Sequence, residues 1–199
     1  IIVISDEIYE HINYVGAHAS IAQVPGMKER TVIINGVSKA YAMTGWRIGF
    51  IAAPEWIVKG CNKLQGQYTS GPCSVSQIAA ANAFSGNQQC VEDMRKAFER
   101  RKKLIVKLCQ ETPGFEINEP EGAFYVFPKV SSYFGKSYNG EVIKDNMDLA
   151  MFLLNVGHVA TVGGGAFGDP DCLRMSYATS DENITEAMKR INKALALLK

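Results

Sequence analysis

Lys39 stands just past an apolar, β-branched run, Val32-Ile33-Ile34, that reads as a buried strand ending at the turn signal Asn35-Gly36. A lysine so placed can be held, partly desolvated, at the floor of a cleft. Desolvation disfavours the ammonium, and a neutral amine attacks carbonyls to form a Schiff base. Eight positions on (47 − 39 = 8), Arg47 offers a planar, permanently charged fork suited to phosphate. Ser38 adds a hydroxyl, and Gly45 and Gly49 let backbone approach a ligand. An amine nucleophile beside a phosphate clamp suits a carbonyl compound that carries phosphate. On residue type alone, Lys39 could equally be a solvated surface lysine and Arg47 a surface ion-pair partner.

Two further positions carry chemistry. Ile1 to Ser5 read as a buried parallel strand, and ligands of open parallel sheets sit beyond the carboxyl ends of strands, where Asp6 falls. A carboxylate there can pair with a protonated ring nitrogen, or simply cap a loop or helix; Tyr9 can donate its hydroxyl to a ligand oxygen. Near the other end, Arg174 interrupts an apolar strand, Cys172 to Tyr177. Burying it requires a partner, which could be a ligand carboxylate held bidentately or an acid of the chain itself.

The stretch S-K-A-Y-A-M-T-G-W-R-I-G-F, Ser38 to Phe50, closely resembles the cofactor-lysine motif of class I aminotransferases, the aspartate aminotransferase-like branch of fold-type I pyridoxal phosphate enzymes. S-D-E-I-Y-E, Ser5 to Glu10, resembles the family's D-x-x-Y segment, and L-R-M-S-Y-A, Leu173 to Ala178, its carboxylate-binding arginine segment. P-E-G-A-F-Y-V-F-P, Pro120 to Pro128, resembles a signature at the start of the small domain's sheet. The resemblance implies pyridoxal 5′-phosphate as cofactor, Lys39 as the Schiff-base lysine, and Asp6 at the pyridine nitrogen. It places Tyr9 at the 3′-oxygen, Ser38 and Arg47 on the phosphate, and Arg174 on the substrate's α-carboxylate. It also implies amino-group transfer between an L-amino acid, aspartate by default, and a 2-oxo acid such as 2-oxoglutarate, in a homodimer. The same motifs serve C–S lyases and cyclopropane-forming synthases, and aminotransferase-like effector domains occur in transcription regulators. A folded remnant with a structural or interaction role is a further reading.

The elements that must position these residues follow from pattern. The fold class expected is α/β: the remainder of a mainly parallel pyridoxal phosphate-binding large domain over residues 1–88, then a smaller α+β domain over 89–199. A long amphipathic helix at about 88–110 should join them, with Val91, Met94, Phe98, Leu104, Ile105 and Leu108 on one stripe. The basic run Arg100 to Lys103 across that stripe reads as a solvated face. Helices are expected over Glu55–Lys63, Ser74–Phe84, Met147–Asn155 and from a Ser180-Asp181-Glu182-Asn183 cap to Leu198. Further strands are expected at Ile51–Ala53, Phe115–Ile117, Ala123–Phe127 and His158–Val162. Gln67 to Pro72 breaks the helical pattern and resembles the family's loop that reaches the neighbouring subunit's cofactor phosphate.

Gly163 to Gly168 satisfies G-x-G-x-x-G, but a dinucleotide fingerprint must open a helix, and Asp169-Pro170 and a strand follow instead. The segment resembles the family's P-G-x-x-F-G loop, with Gly163 where proline is usual, a departure expected to loosen the loop. His11 and His18 lack a metal-spaced partner and read as structural or surface residues; no metal site is expected. At 47% hydrophobic, 21% charged and a net charge of +1, the composition argues for neither a nucleic-acid nor a membrane surface. The five cysteines are widely spaced without C-x-x-C pairs, as expected of reduced thiols in a cytoplasmic protein. The sequence opens without Met inside a strand-like run, and the family's upstream site residues are not in it. A C-terminal portion of a longer protein, without turnover by itself, is the expectation.

Overall fold

Alternating burial and register, more than any single residue, set the first sheet. In the computed structural model, which describes residues 1–199, the chain divides into two compact units, residues 1–96 and 97–199. In the first unit, β1 (Val3–Asp6) and β2 (Thr31–Gly36) pair in parallel, from Val3 opposite Thr31 to Asp6 opposite Ile34. The third strand, β3 (Gly49–Ala52), runs antiparallel to β2, from Ile33 opposite Ala52 to Gly36 opposite Gly49. The sheet order is β1-β2-β3, with one parallel and one antiparallel pair.

Because side chains alternate along strands, Ser5, Glu7, Ile33 and Asn35 lie on one face of this sheet, and Ile4, Asp6 and Ile34 on the other. Ile4 is 69% exposed, so the run Ile1–Ile4 that reads as buried is not covered within this chain. Apolarity marks a residue for burial without saying what buries it. The same holds for α1 (Glu55–Tyr68), which starts at Pro54 and buries none of its residues. It runs beyond the expected end at Lys63, because Leu64 to Tyr68 continue the helix until Ser70 adopts a left-handed φ of 62°. A second helix, α2 (Ser74–Ser85), follows, and then α3 (Gln89–Gln110), within which the two units divide.

In the second unit α3 buries Phe98, Ile105, Val106 and Cys109. Its basic stretch is not uniformly solvated: Lys102 is buried with its ammonium 2.7 Å from Glu119, and Arg100 forks onto Asp181 at 2.9 and 3.1 Å. After α3 come β4 (Tyr125–Val126), the hairpin β5 (Ser137–Tyr138) and β6 (Glu141–Val142), α4 (Asn146–Gly157), β7 (Val162–Gly163), β8 (Leu173–Ser176) and α5 (Asp181–Leu195). β8 is central to an antiparallel sheet of order β4-β8-β7. The strands expected at Phe115–Ile117 and His158–Val162 shrink to a bridge at Glu116 and to Val162–Gly163; His158 is instead a left-handed cap that ends α4.

Caps hold the helices. The Asp145 carboxylate accepts from the Met147 and Asp148 amides at the start of α4, and Ser180 Oγ accepts from the Asn183 amide at the start of α5. Leu149 and Leu153 of α4, Met188 and Ile191 of α5, and Leu173 and Tyr177 form the core. The buried Tyr177 hydroxyl donates to the Ala123 carbonyl at 3.1 Å, satisfying its polar end. The Gly164–Phe167 segment is one 3-10 turn and opens no α-helix, so the dinucleotide fingerprint lacks its context. Gly164 is demanded by its surroundings: a Cβ there would lie 2.4 Å from both the Asp169 and the Cys172 carbonyl oxygens, whereas a Cβ at Gly163 would meet only the side-chain ends of Asn146 (2.3 Å) and Met147 (2.6 Å). Asn146 is buried, and its amide donates to the Pro170 carbonyl at 2.6 Å. Side chains of α4 thus occupy the space beside Gly163.

Candidate active site

The carboxyl end of β1 turns sharply at Asp6. Asp6 is exposed, and its Oδ1 accepts from the Ile8 amide at 3.1 Å, so the side chain caps its own turn while its other oxygen stays available. The turn closes through Glu10 N to Glu7 O (3.0 Å) and Ile12 N to Tyr9 O (2.8 Å), which presents Tyr9 half-buried. From the neighbouring strand, the loop after β2 hangs on Val37, which is fully buried: its carbonyl accepts from the Tyr41 and Met43 amides at 3.3 and 3.4 Å. That loop carries Ser38 and Lys39, both half-buried, and sets Lys39 Nζ 5.7 Å from the centroid of the Tyr9 ring. Residues thirty positions apart (39 − 9 = 30) meet because β1 and β2 are parallel neighbours.

Arg47 lies on the return into β3. It follows a 3-10 turn, Thr44–Trp46, with left-handed backbone angles of φ 54° and ψ 49°, and its Nη1 donates to the Thr44 carbonyl at 2.9 Å. A non-glycine residue held there stores local strain, which is common at ligand-binding positions. The close approach that needs a glycine is at Gly36, where a Cβ would lie 2.6 Å from the Ile48 carbonyl oxygen; Gly45 has open space around it. Arg47, Ile34 and Gly49 line a groove of about 630 Å³ together with Gln65, Thr69 and Gly71. A cavity of about 1300 Å³ also exists, but it is lined by Glu7, Ile33 and Asn35, the sheet face opposite Asp6.

In the second unit Arg174 is half-buried in β8, opposite Val162. Its guanidinium carbon lies 3.7 Å from the Phe167 ring centroid and 4.5 Å from that of Tyr125. The partners the fold gives this arginine are aromatic rings rather than an acid. Such contacts are worth about 0.5–2 kcal/mol each, and they steady a guanidinium whose N–H edge suits a carboxylate.

A family profile described as aminotransferase class I and II matches residues 1–191. The chain belongs to that family. It is 47% identical over 204 aligned positions to the bifunctional aspartate aminotransferase and glutamate/aspartate-prephenate aminotransferase of Petunia hybrida, spanning 100% of this chain and 43% of that one. It is 45% identical to the aspartate aminotransferase of Geobacillus stearothermophilus, over 97% of this chain and 49% of that one. The crystal structure of the Rhizobium meliloti aspartate aminotransferase matches with a TM-score of 0.94 at 42% identity, over 100% of this chain and 50% of that one. The chain thus spans about half the length of the relatives it matches.

Aminotransferases of this family are pyridoxal phosphate enzymes, and the donor set fits that group. One end of one small sheet presents an amine, a phenol, a carboxylate with a free oxygen, a hydroxyl and a guanidinium. Sequence reasoning passed over Glu7. It is 7% exposed, and it accepts from Ser5 Oγ (3.0 Å), Ser20 Oγ (2.6 Å) and His18 Nε2 (2.9 Å). Burial pushes its carboxyl up, but the hydrogen bonds from Ser20, His18 and Ser5 outweigh this and hold it below the usual carboxylate value. The signal was present: strand alternation at Ser5-Asp6-Glu7 sends Glu7 inward, where a carboxylate must find donors.

Proposed function

We propose that the full-length protein transfers an amino group between an L-amino acid, aspartate foremost, and a 2-oxo acid such as 2-oxoglutarate, using pyridoxal 5′-phosphate held by Lys39. The observation that carries this reading is Lys39 Nζ over the Tyr9 ring, on the loop beside the turn that bears Asp6. The relatives, aspartate aminotransferases from plants and bacteria, support aspartate. Residues 1–88 are read as the C-terminal part of the cofactor-binding large domain and 89–199 as the small domain. A homodimer is favoured by the exposed apolar side chains of α1 and α2, and a cytoplasmic location by the five free thiols.

Pyridoxal phosphate, when bound, supplies a carbonyl carbon that amines attack and a ring that withdraws electrons from the substrate's α-carbon. The chain's own groups do the rest. Lys39 would hold the group through its amine, and that amine is the one placed to take up and return the substrate's α-proton as general base and acid. Asp6, its Oδ1 already fixed by the Ile8 amide, would accept from the ring N–H and keep that nitrogen charged. Tyr9 donates its hydroxyl to the ring oxygen. Ser38 and Arg47 hold the phosphate, Arg47 with a planar fork that a lysine would not replace. Arg174, steadied by Phe167 and Tyr125, takes the substrate carboxylate.

The test is a product assay on the full-length protein with aspartate and 2-oxoglutarate. Turnover to glutamate is expected, with KM for aspartate raised about tenfold or more by Arg174→Lys. Elimination or ring-forming products in place of glutamate would overturn the transfer reading.

A further inference from the structure

Glu7 accepts three side-chain hydrogen bonds and sits between Asp6 and Tyr9 in sequence, yet strand alternation sends it to the face of the sheet opposite Asp6. Its backbone belongs to the same turn: the Glu7 amide donates to the Ile34 carbonyl at 2.9 Å and extends the β1–β2 pairing, while its carbonyl receives the Glu10 amide. A second tie runs beside it. Asn35, buried on β2, donates from Nδ2 to Glu10 Oε1 at 2.8 Å, and its Oδ1 accepts from the Gly36 amide at 2.8 Å. The turn carrying Asp6 and Tyr9 is therefore clamped at both ends, by Glu7 to Ser20 and His18, and by Glu10 to the strand that leads to Lys39.

Resting on the cofactor reading above, we propose that Glu7, held by His18 and Ser20, is a positioning residue that sets Asp6 and Tyr9 against the cofactor ring. Glu7, Glu10 and His18 also offer ligand atoms within 4.8 Å of one another. Both Glu7 oxygens are already engaged and Glu10 accepts from Asn35, so the cluster is a hydrogen-bonded frame and not a cation site. The donation from His18 places its proton on Nε2, where a carboxylate can orient it. A frame of this kind acts through geometry. A shift of the turn by an ångström would withdraw a carboxylate from the ring nitrogen and a hydroxyl from the ring oxygen together.

The experiment uses the full-length protein reconstituted with pyridoxal phosphate, in wild type, Glu7→Ala and His18→Ala. Read out are the cofactor dissociation constant, the pH midpoint of the bound cofactor's visible absorption, and the urea midpoint of unfolding. Asp6 and Tyr9 both favour the deprotonated form of the cofactor's lysine linkage, one through the charged ring nitrogen and one through the ring oxygen. Both variants should therefore move the absorption midpoint to higher pH and weaken cofactor binding about tenfold. His18 is half-exposed, so His18→Ala should keep a near-wild-type urea midpoint and decides the matter if Glu7→Ala does not fold. Variants with wild-type cofactor affinity and absorption midpoint, altered only in urea midpoint, would overturn the positioning role and leave the cofactor reading intact. A wild type that takes up no pyridoxal phosphate would overturn both.

Discussion

Glu7 shows how one side chain can be costly in isolation and stabilising in place. Burial penalises its charge, yet Ser20, His18 and Ser5 donate to it and hold its carboxyl below the ordinary value of 4.5. A group whose folded pKa is depressed stabilises the fold above its unfolded pKa and loses that contribution as pH falls through the folded value. Urea unfolding of wild type and Glu7→Gln should therefore show the wild-type advantage above the ordinary carboxylate value and its progressive loss as the pH falls below that value. An advantage that persists unchanged at the acid end would mean that the carboxylate's charge is not what the hydrogen bonds stabilise. Cys109 is the opposite case: burial without donors pushes its thiol up to about 12, which makes it an inert core residue.

Among the elements, glycines mark where the backbone could not be built otherwise. Gly36 faces the Ile48 carbonyl, and Gly164 faces the carbonyls of Asp169 and Cys172. Gly36→Ala and Gly164→Ala should each destabilise by about 1–3 kcal/mol, read as a lowered urea midpoint, while Gly45→Ala, which meets nothing within 4 Å, should be near neutral. Equal effects at all three positions would refute the steric account. The apolar runs of β1 and β2, the Ser180 cap and the long α3 were legible in sequence because period and capping are local properties. Asp6, Tyr9, Ser38, Lys39, Arg47 and Arg174 are proposed from their motif positions. The meeting of Tyr9 with Lys39 was not legible, since it depends on strand pairing across thirty residues, nor was the ion pair that buries Lys102. The short β7 escaped for a similar reason: His158 ends α4 in a left-handed cap that side-chain pattern does not announce.

At the scale of the whole molecule, apolar surface on the first unit asks for cover. Ile2, Ile4, Trp56, Leu64, Tyr68, Val75 and Ile78 are all exposed, where burial of such side chains is worth about 1.5–3 kcal/mol each. Against a typical stability of about 5–15 kcal/mol, several uncovered residues of this kind are a large fraction of the margin. Sedimentation of the 199-residue chain should show association, and Trp56→Lys with Ile78→Lys should shift it toward monomer. A stable monomer in the unsubstituted chain would contradict the interface assigned to α1 and α2. The central claim, that Lys39 is the amine that holds the cofactor, has a direct test in the full-length protein. After loading with pyridoxal phosphate and reduction with borohydride, peptide mapping should find the pyridoxyl group on Lys39, and Lys39→Ala should carry none. A label on Lys59 or Lys63, or equal labelling of Lys39→Ala, would contradict the account.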